Sequence, residues 1–562
     1  MTGAHGYDLV SEPWVRVLDV DGVTRELSLL EVMEQAPVVV RLAGELPTQD
    51  AAMLRLLLAI VQRALEPFAP ETVAQVPEMV SILRGQWVET VVPAVRSYLE
   101  KHRDRFDLFH PATPFFQVAG MRTVKGEVSE LSKLIADMPA GRPYLSMRSA
   151  RAAERVEPGE AGRWLVHLQA YDSSGIKTGV VGHPRAKGGK VYPEGVGWTG
   201  QLGLVHLAGD TLAETLLLNL WAVLLGDDIR VADLPPWERP PQTLDPSPDL
   251  LTRPAGPVDA YTWQPRRVLL RGDATGVSGV LVTYGDRFIL QERQDMVHRE
   301  PMTLWRFSRP QTAKYHRDIQ MTRKHQPGLA LWRGIESVLP GVRVPVTTSR
   351  KDDPPPASSQ IVEHAGRLAL EGALRDGLVH YRAVGLEYGA QESVVDDVVE
   401  DSLDLPAIIL RPEQEELRQV AIDAVESAKK GVGALAELAR GLARASGAGR
   451  EETSGPGDRA YEIGYSALDQ PYREWLRRDL VAAHDPLVAE KVWHRRVRGV
   501  LVEIGEELVV GVPEKAWRGT GPSGAREDVG AVYHRFQRML RAAVPRAYPP
   551  SERTDVSQEQ TP

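Results

Sequence analysis

Apolar and polar residues alternate near the start of the chain and then take up helical spacing, and this change of period sets the expected architecture. Residues 7–31 read as a short hairpin, with WVRVLDV and VTRELSL on either side of an Asp-Gly turn. From Leu46 the stretch PTQDAAMLRLLLAIVQRAL predicts a helix with Thr48 as its N-cap. It is apolar on most faces and therefore belongs to a core. Residues 110–117, HPATPFFQ, are extended and aromatic-rich. Residues 211–225 predict a second buried helix, followed by a proline-rich, polar surface excursion over 226–260. Apolar runs at 267–270, 280–284 and 288–290, with Gly285-Asp286 as a turn, predict a small antiparallel sheet. A strand and a glycine-bearing loop follow over 378–391, then an acidic run from Glu392 to Asp404 that ends at Pro406.

Beyond Pro406 the pattern is helical. Segments 413–445, 459–483, 486–510 and 526–544 are amphipathic and joined by polar loops, which predicts an antiparallel four-helix bundle. The expected fold class is α+β: a large mixed α/β N-terminal domain over 1–390, a connector over 391–406, the four-helix bundle over 407–546 and a disordered tail over 547–562.

Composition narrows the function. Among 562 residues, 43% are hydrophobic and 25% charged, as in ordinary globular proteins, and the length accommodates several domains. There is no cysteine, which excludes disulfides, thiolate zinc sites, iron–sulfur clusters and cysteine nucleophiles. The N-terminus has no apolar signal core, and runs such as 54–61 are too short to span a bilayer, so a cytoplasmic protein without a membrane partner is expected. The net charge of −9 means that any nucleic-acid binding must come from local patches.

One such patch stands out. Between Tyr171 and Gly203, nine glycines are interspersed with Lys177, His183, Arg185, Lys187 and Lys190, and Glu194 is the first acid after Asp172. Free backbone N–H groups beside lysine and arginine suit an anionic partner. The stretch is no P-loop, because Val191 follows Gly189-Lys190, and no GxGxxG opens a helix after a strand. Residues 142–163 form a second basic group with Arg142, Arg148, Arg151, Arg155 and Arg163, read either as a solvated loop or helix face or as a phosphate or RNA contact. Residues 305–333 interleave Trp305, Tyr315 and Trp332 with seven basic residues, a composition suited to a nucleic-acid face. His316-Arg317-Asp318 imitates a kinase catalytic loop without its asparagine. No HExxH, GxSxG or calcium loop is present, His167 and His206 sit in apolar runs as core residues, and the residues point to binding rather than catalysis.

Several stretches, in order, resemble one family. YDLVSEPWVRVL, RLAGELPTQDAAMLRLLLAI, HPATPFFQVAG, QAYDSSGIKTG and VGWTGQLGLVHLAGDTLAETLLLNL are similar to the CasA family, the large subunit of the type I-E CRISPR surveillance complex Cascade. The resemblance implies a non-catalytic subunit without a cofactor, and the cysteine cluster that some members carry upstream of the Tyr284–Phe288 turn is absent here, so no zinc is expected. It implies recognition of the protospacer-adjacent motif (PAM) in double-stranded DNA, help in opening the duplex for R-loop formation, and presentation of the complex to a helicase-nuclease. Its partners would be that DNA, the Cascade subunits holding the guide RNA, and the helicase-nuclease. The family's PAM glycine loop resembles Ser174, Gly175, Ile176, Lys177, Thr178 and Gly179. The family's glutamine wedge, which splits the first base pair beyond the PAM, resembles Gln391, with Ala390 where relatives can carry asparagine. Arg287, in the Tyr284–Phe288 turn, matches a basic residue that enters the minor groove. Arg142, Arg148 and Arg151 match a segment that docks on the guide RNA and a neighbouring subunit. Two rival readings are a metal-dependent nuclease built from dispersed histidines and carboxylates, and a purely structural subunit whose glycine loop is a linker.

Overall fold

The computed structural model describes residues 6–138, 154–341, 356–374, 377–449, 451–483, 485–518 and 528–549. The chain forms two compact units. The first comprises residues 1–329, 340–375 and 379–402, and the second residues 330–339, 376–378 and 403–562.

The first unit mixes helix and strand. Strands β1 (Val15–Asp19) and β2 (Thr24–Leu27) form the expected hairpin, but a third strand, β3 (Val39–Leu42), pairs with β1 on its other side. The segment after β2 does not stay extended. Ser28 and Glu31 form a reciprocal capping box, Ser28 N to Glu31 Oε2 at 2.8 Å and Glu31 N to Ser28 Oγ at 3.3 Å, which starts helix α1 (Leu29–Gln35).

The apolar helix α2 (Pro47–Ala64) is buried along most of its length. Its N-cap is Leu46 rather than Thr48, because Pro47 already suits the first turn. Thr48 is buried, with Oγ1 3.0 Å from His167 Nε2 on helix α3 (Pro158–Tyr171). From α2, Arg55 makes a buried bidentate pair with Glu300 at 2.8 and 2.9 Å, and the Glu300 carboxylate also accepts from Trp198 Nε1 at 2.9 Å.

Strands β4 (Lys177–Thr178) and β5 (Lys190–Val191) form a short antiparallel pair. Strand β6 (Leu204–Ala208) is followed by helix α4 (Leu212–Asn219), capped by Thr211 and shorter than the expected 211–225. Residues 226–252 are largely exposed or half-buried, as expected of a surface excursion, but 253–260 are buried and anchor the stretch. Asp233 is buried and accepts from Val258 N at 3.2 Å and Asp259 N at 2.8 Å, while buried Asp259 pairs with Arg253 at 2.6 Å. These polar groups face one another, so a polar composition coexists with burial.

The expected sheet turned by Gly285-Asp286 is instead a two-stranded hairpin, β7 (Arg266–Asp273) with β8 (Gly276–Tyr284). Asp286 is drawn inward by Arg267, 2.7 Å away, and by Ser247, so the chain leaves β8 there and 288–290 forms no strand. Strands β9 (Trp305–Phe307) and β10 (Gln320–Thr322) pair with each other. A three-stranded sheet carries β6 at one edge, β11 (Leu378–Tyr388) in the centre and β12 (Val395–Pro406) at the other edge. The acidic run is thus largely edge strand, where charge discourages further pairing.

The second unit is helical. Helix α5 (Glu415–Ala445) packs against α6 (Ser454–Glu474), α7 (Pro486–Val510) and α8 (Val529–Ala543). Trp332 stacks on Tyr472 with ring centroids 4.5 Å apart, and Trp493 Nε1 donates to Ala424 O at 2.8 Å. Pro471 lies inside α6, and a π-helical turn (Trp475–Asp479) follows it. At the C-terminal end Tyr548 is buried, with the Arg498 guanidinium 4.6 Å from its ring centroid. Among the described residues no helix is long and apolar enough to cross a membrane.

Candidate nucleic-acid interface

The glycine loop is positioned by a buried arginine on a different element. Arg266, at the start of β7, donates to the Asp172 carboxylate, to Asp172 O and Ser173 O at 3.2 Å each, and to Gly195 O at 2.8 Å. Asp172 directly follows α3 and also takes Lys177 Nζ at 2.6 Å. Burial would raise the Asp172 carboxyl, but Lys177 and Arg266 overcome it and hold the group below its usual value. The arginine guanidinium also lies 4.5 Å from the Tyr284 ring centroid, and Tyr284 Oη donates to Gly175 O at 2.7 Å. The turn is therefore tied down at both flanks.

What the loop presents follows from these ties. Ser174 is buried, and its Oγ accepts from Gly195 N at 3.1 Å. Lys177 points inward to Asp172, where burial lowers its pKa. Thr178 pairs with Lys190, and its Oγ1 is 3.5 Å from Ser129 Oγ. Gly179 N donates to Gly189 O at 2.9 Å. The outward part is Gly175, beside which a side chain would meet open space, and Ile176, which is 55% exposed.

The tip of the β11–β12 hairpin lies against this loop. Ser174 N donates to Glu392 O at 2.7 Å, and Tyr388 Oη donates to Tyr171 O at 2.6 Å. Gly389 N to Val394 O at 3.0 Å closes the tip, and Ala390 and Gln391 are exposed on it. Gln391 and Glu392 both hold left-handed backbone, with φ of 56° and 54°. Such geometry costs a non-glycine residue on the order of 1–3 kcal/mol and persists where surrounding bonds impose it. Lys324 adds one more restraint, with Nζ 3.3 Å from Glu392 Oε1 and 5.3 Å from the Tyr388 ring centroid.

Arg287 is exposed and makes no ion pair among the described residues. Its neighbours fix its backbone: Asp286 by the pair with Arg267, and Phe288 by edge contacts with Trp198 and Trp263. With Arg266 and Tyr284 it lines one small cavity. The structure thus joins the Ser174–Gly179 loop directly to the Ala390-Gln391 tip, while Arg287 lies beside Arg266 and Tyr284, which support the loop. Arg142, Arg148 and Arg151 lie outside the described residues.

Two other cationic side chains of the glycine-rich stretch are used internally. Arg185 pairs with Glu194 at 2.7 Å and donates to Gly285 O, and His183 Nε2 is 2.9 Å from Tyr284 O. The basic-aromatic reading of 305–333 fails at its tryptophans, because Trp305 and Trp332 are buried as core side chains and offer no stacking face. Sequence reasoning missed Asp172, Arg266, Lys324 and Glu392. The one available signal was Arg266-Arg267 opening an apolar strand. Among the described residues no group of three or more histidines and carboxylates could hold a metal ion.

The family model described as CRISPR-associated protein Cse1 matches residues 8–504. A curated CasA/Cse1 protein of Thermus thermophilus is 29% identical over 524 residues, covering 88% of this chain and 91% of its own. The crystal structure of Thermobifida fusca Cse1 superposes with a TM-score of 0.86 at 37% identity, covering 98% of this chain and all of that one. Cse1 of Acidimicrobium ferrooxidans gives 0.77 at 28% identity, covering 97% of this chain and all of that one. These findings place the chain among the CRISPR-associated proteins. It belongs to the Cse1 (CasA) family, the large subunit of the type I-E Cascade.

Proposed function

We propose that this subunit recognises the PAM in double-stranded DNA, helps open the duplex for R-loop formation and recruits a helicase-nuclease, without catalysing a reaction itself. Guide-RNA pairing would read the target while the protein reads only the short adjacent motif. Gly175 and Ile176 enter the minor groove, where a backbone of little side-chain bulk approaches base edges. Arg287 adds a cation suited to a narrow groove. Gln391 stands at the tip as the wedge. Ala390 beside it contributes no polar group, so the glutamine works without an amide neighbour. In this reading Arg142, Arg148 and Arg151 dock on the guide RNA or a neighbouring subunit, and α5 to α8 act as a four-helix bundle.

The observation that carries the reading is the direct bond between loop and tip, Ser174 N to Glu392 O at 2.7 Å. A motif reader and a strand separator must be held in fixed register, and this bond holds these two segments so. The testing experiment reconstitutes the chain with guide RNA and partner subunits and measures binding to duplexes that differ only in the PAM, at fixed salt. Wild type should discriminate between the duplexes, and Gly175→Asp should abolish that preference. Retained discrimination in Gly175→Asp would remove the loop from the reading.

A further inference from the structure

The glycine-rich stretch contains two lysines that the loop and tip leave unused. Lys187 and Lys190 flank a tight turn whose centre is Gly188-Gly189, with φ of 57° and 73°, and Lys190 N donates to Lys187 O at 3.1 Å. Consecutive left-handed residues are cheap only for glycine. Both lysines are exposed and neither makes an ion pair among the described residues, whereas Lys177 and Arg185 of the same stretch are paired with Asp172 and Glu194. The lysine turn is also physically part of the glycine loop. Thr178 and Lys190 are partners across the β4–β5 pair, and a side chain at Gly179 would come within 2.5 Å of Gly189 C.

Strand alternation decides which way the cations face. Opposed residues share a face. Lys177 and its partner Val191 face inward, the former to Asp172 and the latter buried. Lys190 and Tyr192, either side of Val191, therefore share the outer face, and Tyr192 is 61% exposed. In a chain of net charge −9, two unpaired cations held beside the loop form a local positive site. Gly175 and Thr178 are three residues apart, about 10 Å at full extension. Duplex DNA carries one phosphate charge per roughly 1.7 Å of axis, so a duplex seated on the loop brings several phosphates within reach of the turn.

We propose that Lys187 and Lys190 form a second DNA site, a sequence-independent clamp on the phosphate backbone of the duplex that the glycine loop reads. The clamp rests on the DNA-binding function proposed above and adds register along the duplex rather than base discrimination. Lysine suits this role, since it meets phosphate as a point charge.

The test uses the reconstituted complex, duplexes with and without the PAM, and a salt series. The Lys187→Ala/Lys190→Ala double variant should bind both duplexes more weakly by the same factor. Its dependence of log K on log salt should be shallower by about 1.8, since each released phosphate contact contributes about 0.9. Wild type's affinity advantage should then shrink about tenfold between 50 and 200 mM salt. Lys187→Arg/Lys190→Arg should keep the wild-type slope. An unchanged slope in the alanine variant would overturn the clamp, and so would a changed ratio between the duplexes, which would make the lysines base readers. If wild type itself ignored the PAM, the proposed function would fail, while the slope difference would still decide the fate of the clamp.

Discussion

The main-chain nitrogen of Ser174 donates to the carbonyl of Glu392 at 2.7 Å, joining residues more than 200 positions apart. Through this bond the glycine loop supports a hairpin tip whose two left-handed residues are not glycine. Arg266 supports the loop in turn. The structure is a chain of supports leading outward from a buried guanidinium to Gln391.

Strain and function should separate at the tip. Gln391→Gly removes the cost of the left-handed backbone and the side chain together. Its stability in urea should be unchanged or higher by about 1 kcal/mol, while opening of the first base pair beyond the PAM is lost. A destabilised Gln391→Gly would mean that the side chain, rather than the neighbouring bonds, fixes the tip.

Two glycines of the loop should respond oppositely to alanine. A side chain at Gly175 meets open space, so Gly175→Ala should fold with wild-type stability. At Gly179 it meets Gly189 C and Lys190 N at 2.5 and 2.7 Å, both main-chain atoms. Forcing that pair apart should cost about 1–3 kcal/mol, measurable as a lower denaturant midpoint.

Arg55 and Glu300 are each buried to 1% exposure or less. Arg55→Met leaves a buried carboxylate held only by neutral donors, Trp198 Nε1 and Met302 N, and should cost about 3–5 kcal/mol. Arg55→Met with Glu300→Leu should recover part of that loss. Equal loss in the single and double variants would show that packing, not the unpaired charge, sets the cost.

Burial pulls the His167 pKa from 6.5 to about 4. Between those values the unfolded chain takes up a proton that the folded chain does not. The stability present above pH 6.5 should therefore fall as pH drops towards 4, by on the order of 3 kcal/mol from this group. His167→Gln, which can still hydrogen-bond Thr48, should reduce the pH dependence of the urea midpoint across that window. An unaltered slope would show that His167 titrates alike in both states.

Much of the helical architecture was legible in the sequence. Periodicity near 3.6 located α2 and the four long helices of the second unit to within a few residues, because those segments bury one continuous face. The start of α1 was missed although Ser28 and Glu31 have capping-box spacing, because alternation in the preceding strand masked it. The surface excursion holds for most of 226–252, but its polar composition hid the buried end at 253–260, where Arg253 pairs with Asp259 and Asp233 accepts from the main chain of Val258 and Asp259. The segments proposed as the site were named through the family resemblance, and what supports them was not legible. Arg266 and Asp172 are 94 residues apart, and no local pattern records which of many arginines meets which aspartate. Burial of Trp305 and Trp332 was equally invisible in a stretch whose basic residues imitate a nucleic-acid face.

The central claim is that Gln391 separates strands that the glycine loop has already located. A fluorescent base analogue in the first base pair beyond the PAM, followed in the reconstituted complex, tests it most directly. Gln391→Ala should retain PAM-dependent binding and lose the rise in fluorescence that reports opening. A wild-type fluorescence rise in Gln391→Ala, or a loss of binding equal to the loss of opening, would contradict the division of labour between loop and tip.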